Sequence, residues 1–287
     1  MTKTIYNTYK SHSVKLANGC DVAYIDEGKG NRVLFFIHGL ATYALSWKKN
    51  IEYLKDHYRC IAIDLPGNGA SSHGDYPYGV SFFADVVYEI IQKLNLKNVS
   101  IVGHSMGSQV AMTTVIRYPA CCNKLLLCAP AGFETFTSFE KTIYHSTIHF
   151  FDFFSSEENS LRNVIRTSFY HFPTQANEMI DELVGFMKNY PLSEYRKMIE
   201  CCIKSMLNEA VYDKIPLIKQ PTLVLFGEHD ALIPNKLIHH YSTKHLAEET
   251  VKRFPDASLK VIPQCGHFLQ WEKADEVNGL IEKFAIA

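Results

Sequence analysis

Short, dense apolar runs recur along this chain, and stretches of a different period separate them. Val33-Leu34-Phe35-Phe36-Ile37 is the first strong run. Arg59–Ile63, Val99–Val102, Lys124–Cys128, Thr222–Phe226 and Leu259–Ile262 follow. Each is four or five residues long and lacks polar alternation. A strand open to water on one face would alternate, so these runs predict strands covered on both faces, as in a parallel sheet between helices. Between them, Val80 to Leu94 places Phe83, Val87, Ile90, Ile91 and Leu94 near helical spacing. Lys273 to Phe284 does the same with Val277, Leu280, Ile281 and Phe284. The alternation predicts an α/β fold with a doubly wound, mostly parallel sheet. Near the start, Ser13–Leu16 and Val22–Ile25 flank Ala17-Asn18-Gly19, which predicts an antiparallel hairpin at the sheet edge.

The rhythm breaks after Pro130. From Gly132 to about Tyr212 the pattern is helical, with no strong strand run. The stretch is rich in aromatics, among them Phe136, Phe139, Tyr144, Phe150, Phe151, Phe153, Phe154, Phe169 and Tyr170, and it holds Met179, Met187, Met198 and Met206. The strand rhythm returns at Thr222. Residues 1–131 and 213–287 are therefore expected to form the core, with 132–212 a helical cap inserted in it. A cap needs a core of its own, so only a minority of its apolar residues can face a substrate. The substrate-binding residues are expected among them.

Composition narrows the function classes. Of 287 residues, 47% are hydrophobic and 21% charged, as in ordinary globular proteins rather than disordered or fibrous ones. Lys plus Arg is 29 and Asp plus Glu 30, a formal net charge of −1, which gives no footprint for nucleic acid or an anionic membrane. The longest uncharged stretch, Val99 to Ile116, is too polar to span a bilayer. The first residues lack an apolar core of the signal-peptide kind. Cysteines 20, 60, 121, 122, 128, 201, 202 and 265 include no C-x-x-C pair, so zinc spacing is absent and no metal is implied. Adjacent pairs are a poor disulfide framework, and reduced thiols in a cytoplasmic protein are the simplest expectation. A homodimer is compatible with the sequence.

The chemistry gathers after the predicted strands. Gly103-His104-Ser105-Met106-Gly107 follows one strand and opens a helical pattern, the context of a nucleophile elbow. The turn is so tight that a side chain at either glycine would collide with its neighbours. It lifts the Ser105 hydroxyl clear of the sheet and aims the Met106 amide, at a helix N-terminus, toward a bound oxygen. Serine needs a base. Gly266-His267 follows the last strand, at the carboxyl edge where sites form in open α/β sheets. The base needs an orienting acid. Gly227-Glu228-His229-Asp230 follows the preceding strand and offers Asp230, with Glu228 and Glu134 as competitors. The Leu40 amide in His38-Gly39-Leu40-Ala41 is the candidate second oxyanion donor, and His38 reads as a buried structural residue. His104 reads as a packing or hydrogen-bonding residue turned away from the nucleophile. Asp64 to Ser71 lacks phosphate-loop spacing and reads as a tight loop shaping the floor of the site.

Taken together, His38-Gly39, Asp64-x-x-Gly67-x-Gly69-x-Ser71, Gly103-x-Ser105-x-Gly107, Gly227-x-x-Asp230 and Gly266-His267 resemble the α/β-hydrolase superfamily. More narrowly, they resemble its capped serine carboxylesterase-like branch, related to carbon–carbon bond hydrolases, cofactor-free haloperoxidases and epoxide hydrolases. The likeness covers about residues 13–131 and 213–285. Serine at 105 departs from the epoxide hydrolases, which use Asp there. His104 departs from the Asn frequent in carbon–carbon hydrolases. Glu272-Lys273-Ala274 lacks the Pro that often follows the Glu. The resemblance implies a serine hydrolase acting on a small to medium ester through Ser105, Asp230 and His267, with no cofactor. A thioesterase, a carbon–carbon bond hydrolase or a non-catalytic binding member of the fold are the alternatives.

Overall fold

The computed structural model describes residues 8–150, 158–188 and 190–286, with 145–150 and 160 as backbone only. Among these residues eight strands form one sheet in the order β1-β2-β4-β3-β5-β6-β7-β8. β1 (Ser11–Lys15) and β2 (Asp21–Glu27) are the edge hairpin, and β2 also runs antiparallel to β4 (Arg59–Ile63). From β4 onward the pairing is parallel, through β3 (Val33–Ile37), β5 (Val99–His104), β6 (Lys124–Cys128), β7 (Thr222–Gly227) and β8 (Ala257–Ile262).

The central strands are buried along nearly their whole length, as the dense apolar runs require. β8 departs from that expectation. Its burial alternates, with Ser258 and Lys260 on the exposed side, because it is the last strand and has helix cover on one face only. Before β6 the helices are α1 (Lys48–Leu54), α2 (Val80–Lys93) and α3 (Met106–Arg117), of which α1 and α3 pack on the sheet and α2 packs on α3.

Between β6 and β7 the described chain is helical. It holds α4 (Ser138–Phe150), α5 (Glu158–Thr167), α6 (Ala176–Lys188) and α7 (Leu192–Asn208). Then α8 (Thr243–Val251) precedes β8, and α9 (Leu269–Glu272) and α10 (Ala274–Ile286) close the chain. Met179 and Met198 are buried within this helical segment, as is Phe169, whereas Phe139 is 74% exposed. Phe150, Phe151, Phe153 and Phe154 lie outside the described side chains. No described helix is long and apolar enough to cross a membrane.

Helices of the insertion fasten onto the core by polar contacts at helix ends. The first amides of α2 lack intrahelical acceptors. Val80 N–H donates to Ser205 Oγ at 2.7 Å and Ser81 N–H to Glu209 Oε2 at 2.9 Å, so α7 and the residue after it cap a core helix.

Candidate active site

β5 ends in a sharp turn. Ser105 sits at φ 53° and ψ −119°, between the strand and the first turn of α3. A non-glycine residue held there carries roughly 1–3 kcal/mol of strain and persists only where its surroundings over-determine it. They do. Ser105 N–H donates to the Cys128 carbonyl at 2.9 Å, and its own carbonyl accepts from Ser108 at 2.9 Å and Ala131 at 3.2 Å. A Cβ on Gly103 would strike the backbone of Gly107 and Ser108, and one on Gly107 would strike the carbonyls of Ile37 and His38. The glycines are steric necessities.

Two loops further along the same edge bring an imidazole and a carboxylate together. His267 follows β8, Asp230 follows β7, and both side chains are buried. His267 Nδ1–H donates to Asp230 Oδ2 at 2.8 Å. Asp230 Oδ1 accepts from the amides of Leu232 at 2.8 Å and Ile233 at 3.0 Å. The other two carboxylates weighed from sequence are paired with other histidines. Glu228 is half-exposed beside His229, and Glu134 Oε1 meets His239 Nδ1 at 2.5 Å and the Asn235 amide at 2.7 Å.

Ser105 and His267 line one cavity of about 350 Å³, together with Gly39, Leu40 and Ala41. Leu40 is thus placed on the cavity wall. Met106 opens α3, where the first amides have no partner within the helix. Its N–H and the positive end of the α3 dipole meet at the elbow. Leu161, Val164, Ile165, Ile203 and Leu207 of the insertion supply much of the remaining wall. The wall is therefore chiefly aliphatic. Of the four methionines singled out there, Met206 alone lines the cavity, and among the described aromatics named there Phe136 and Tyr144 do.

Three readings change. His104 packs and hydrogen-bonds as expected, but it does so at the site: it lines the cavity, its ring centroid lies 4.8 Å from that of His267, and its Nε2–H donates to the His267 carbonyl at 3.0 Å. Complete burial, then the neighbouring His267, holds its pKa well below the ordinary range, so it is neutral. The loop Asp64–Ser71 is not among the cavity walls. It works from behind: Asp64 Oδ1 accepts from the Ala44 amide and Oδ2 from Ala70, both at 2.7 Å, bracing the loop that carries Leu40. His38 is buried in the same brace, with Nδ1–H donating to the Gly39 carbonyl at 2.7 Å and Nε2 accepting from the Leu65 amide at 3.0 Å. Its pKa is pushed down to about 4 by burial.

The third change is Glu272, noted in the sequence only for the missing proline after it. Its carboxylate accepts from Gly266 at 2.9 Å, Tyr170 at 3.1 Å and His171 at 2.5 Å, all backbone amides. It ties the histidine loop to the insertion. The His267 amide donates to the Ser168 carbonyl at 2.8 Å, and Phe169 stacks on Phe268 at 5.0 Å. Nothing in a one-dimensional pattern marks such a contact, because all three donors are backbone. Among the described residues no His, Cys, Asp or Glu group of three or more is arranged to hold a metal.

Residues 32–274 match the family described as alpha/beta hydrolase fold. The chain belongs to that family. Its relatives span several chemistries. It is 25% identical over 265 residues to the uncharacterized hydrolase YugF of Bacillus subtilis, covering 90% of this chain and 91% of that protein. It is 26% identical over 268 residues to the 2-hydroxy-6-oxononadienedioate/2-hydroxy-6-oxononatrienedioate hydrolase of a Pseudomonas species, covering 90% and 89%. In three dimensions it is similar to the esterase of Exiguobacterium antarcticum, with a TM-score of 0.81 at 19% identity over 96% of this chain and 99% of that one.

Proposed function

We propose that this α/β hydrolase is a serine hydrolase that cleaves a small to medium carboxylic ester through an acyl-enzyme. The observation that carries the reading is the buried Asp230–His267 pair opening on the same cavity as the strained Ser105. In this reading Ser105 Oγ attacks the ester carbonyl carbon while His267 Nε2 takes the hydroxyl proton. Asp230 holds Nδ1–H, which fixes the tautomer that leaves Nε2 free, and its charge stabilises the imidazolium. His104, held neutral by burial, adds no cation against it.

The developing oxyanion is received by the Leu40 and Met106 amides, where loss of one such donor costs roughly 10²–10³-fold in rate. Collapse breaks the ester C–O bond, and His267 returns its proton to the departing alcohol. Water, deprotonated by His267, then attacks the acyl-enzyme and releases the acid and free Ser105. The helical segment 132–212 serves as a cap that keeps bulk water from the cavity, which strengthens the oxyanion contacts. The aliphatic wall suits an apolar acyl or alcohol part. Esterase and carbon–carbon hydrolase relatives run on related folds, and the aliphatic wall favours the ester.

The test is active-site labelling with a fluorophosphonate. The adduct is expected on Ser105 by peptide mapping, absent in Ser105→Ala, with matching loss of p-nitrophenyl butyrate hydrolysis. A folded protein that neither labels nor hydrolyses would overturn the reading in favour of a non-catalytic binder.

A further inference from the structure

One buried ionisable pair in the cavity wall has no part in the proposed chemistry. Glu134 follows β6 and lines the cavity, with its side chain 8% exposed. Both of its strong bonds fall on Oε1: the Asn235 amide at 2.7 Å and His239 Nδ1 at 2.5 Å. Because a carboxylate only accepts, His239 donates through Nδ1–H. Its Nε2 lies 3.7 Å from Glu140 Oε1. The pair therefore fixes Glu134 in one orientation, with Oε2 carrying neither bond. A carboxylate in a wall that is otherwise chiefly aliphatic is costly to bury unless both oxygens find donors.

The charges around it select the donor. An anionic ligand group is opposed by Glu134 itself. A cationic one is opposed by Lys236, which lines the same cavity next to Asn235 and is held by the Tyr241 carbonyl at 3.2 Å. Tyr144 lines it too, and burial followed by the charge of Glu134 pushes its phenol up to about 12, so it remains a neutral hydroxyl. A neutral hydrogen-bond donor satisfies the carboxylate without meeting a like charge.

We infer that Glu134 is a specificity-determining residue that recognises a hydroxyl group on the aliphatic part of the ligand, so that this cavity takes hydroxylated alkyl chains in preference to plain ones. The inference names the substrate class of the same cavity and rests on that assignment of the cavity. It does not rest on the nucleophile.

The experiment is run on full-length Ser105→Ala protein, which turns nothing over, so binding is read apart from catalysis. Methyl alkanoates of four to eight carbons are titrated by calorimetry or NMR at pH 8, because burial raises the Glu134 carboxyl above its ordinary range and a higher pH favours its charged form. Each length is offered as the plain, the ω-hydroxy and the ω-methoxy ester. At the length that reaches Glu134, the hydroxy ester is expected to bind about tenfold tighter than the methoxy ester, which accepts but cannot donate. Glu134→Gln keeps the shape and an oxygen for Asn235 and His239, but turns an NH₂ to the cavity that serves either ligand. It should cut the preference to below about threefold. Glu134→Leu should abolish it and favour the plain ester, and either variant that keeps a native melting transition suffices. Equal binding of hydroxy and methoxy esters at every length, or a preference that survives in both variants, overturns the inference. Loss of ester hydrolysis in the unmodified enzyme would sink the serine-hydrolase reading and leave this binding ratio intact.

Discussion

Replacing Asp230 with Asn tests the acid in a way the structure makes quantitative. Asp230 Oδ1 accepts two backbone amides, those of Leu232 and Ile233, while Oδ2 accepts from His267. An amide has only one oxygen. If it stays with the two backbone donors, the NH₂ faces His267 Nδ1, which must then accept. The ring proton moves to Nε2, the atom that has to take the serine proton. The productive orientation turns the NH₂ against two buried N–H donors. Leaving both unpaired costs about 1–3 kcal/mol each, or roughly 2–6 kcal/mol together. At about 1.36 kcal/mol per tenfold, the productive form is populated roughly one part in 30 to one in 10⁴. We expect kcat/KM toward p-nitrophenyl butyrate to fall within that span, toward its upper end, as the wrong tautomer costs about 10⁴ in serine proteases. Near-native thermal melting should persist, since the two side chains have one shape. Glu228→Gln, at a half-exposed site, is the matched control and should stay within about twofold. A loss below tenfold in Asp230→Asn, or a larger loss in Glu228→Gln, refutes the reasoning.

Ser105→Ala should lower kcat by about 10⁴ or more with the fold retained, and retention of over a tenth of the activity would remove Ser105 as nucleophile. Across p-nitrophenyl acetate, butyrate and hexanoate, kcat/KM should climb by up to about fourfold per methylene while the 350 Å³ cavity has room, then fall; a flat profile would show that this cavity is not the acyl pocket. Glu272→Gln exchanges a charged acceptor of three backbone amides for a neutral one, so it should destabilise by about 2 kcal/mol and speed hydrogen exchange at 168–171 and 266–268 together. Exchange confined to one of the two segments would show that Glu272 does not join them. Stability should drop as pH falls from about 6.5 toward 4, because the unfolded chain takes up a proton that buried His38, lowered from its ordinary 6.5 to about 4, refuses. The loss from His38 is on the order of 3 kcal/mol by calorimetry across that window, and a pH-independent melting temperature there would contradict it.

What could be read in advance follows from the range of each interaction. The strands and the elbow are local: five apolar residues in a row fix a doubly covered strand, and Gly-x-Ser-x-Gly fixes a turn whose clashes involve residues within a few positions or on the adjacent strand. Asp230 and His267 were legible because each follows its own strand, and parallel strands deliver their following loops to one edge. Position one strand along from His267 favoured Asp230 over Glu228 and Glu134, but what fixes the choice is not local. It depends on which backbone amides wait at Leu232 and Ile233, and on His239, 105 residues from Glu134 in the chain, taking the other candidate. His104 was legible as a packing and hydrogen-bonding residue but not as a cavity residue, for a related reason: its partner, the His267 loop, lies 163 residues along the chain. The aromatic richness of 132–212 described the segment's own packing better than the cavity, since Phe169 is spent on Phe268 and aliphatic residues face inward.

The insertion and the catalytic edge form one mechanical unit. Gly266 has no room for a Cβ because the Ser168 carbonyl and the Tyr170 amide press on it, and Tyr170 stacks on His229 at 4.3 Å, one residue from Asp230. At the other end of the insertion, Gln109 of α3 donates from Nε2 to the carbonyls of Met206 at 3.0 Å and Glu209 at 3.2 Å, three residues along the chain from Met106. In the proposed reading, the segment that roofs the cavity thus touches the base loop, the acid loop and the helix that carries an oxyanion donor. Swinging it away as a rigid lid would break the His267–Ser168 bond and strip Glu272 of two of its three donors. Such an opening costs several charge-assisted and backbone hydrogen bonds at once, each on the order of 1 kcal/mol or more. It would also loosen the loop that holds His267. In the proposed mechanism an opened segment 132–212 and a positioned His267 therefore exclude each other. Bulky or aggregated esters, which need the roof lifted, should react slowly because the lifted state lacks a positioned base.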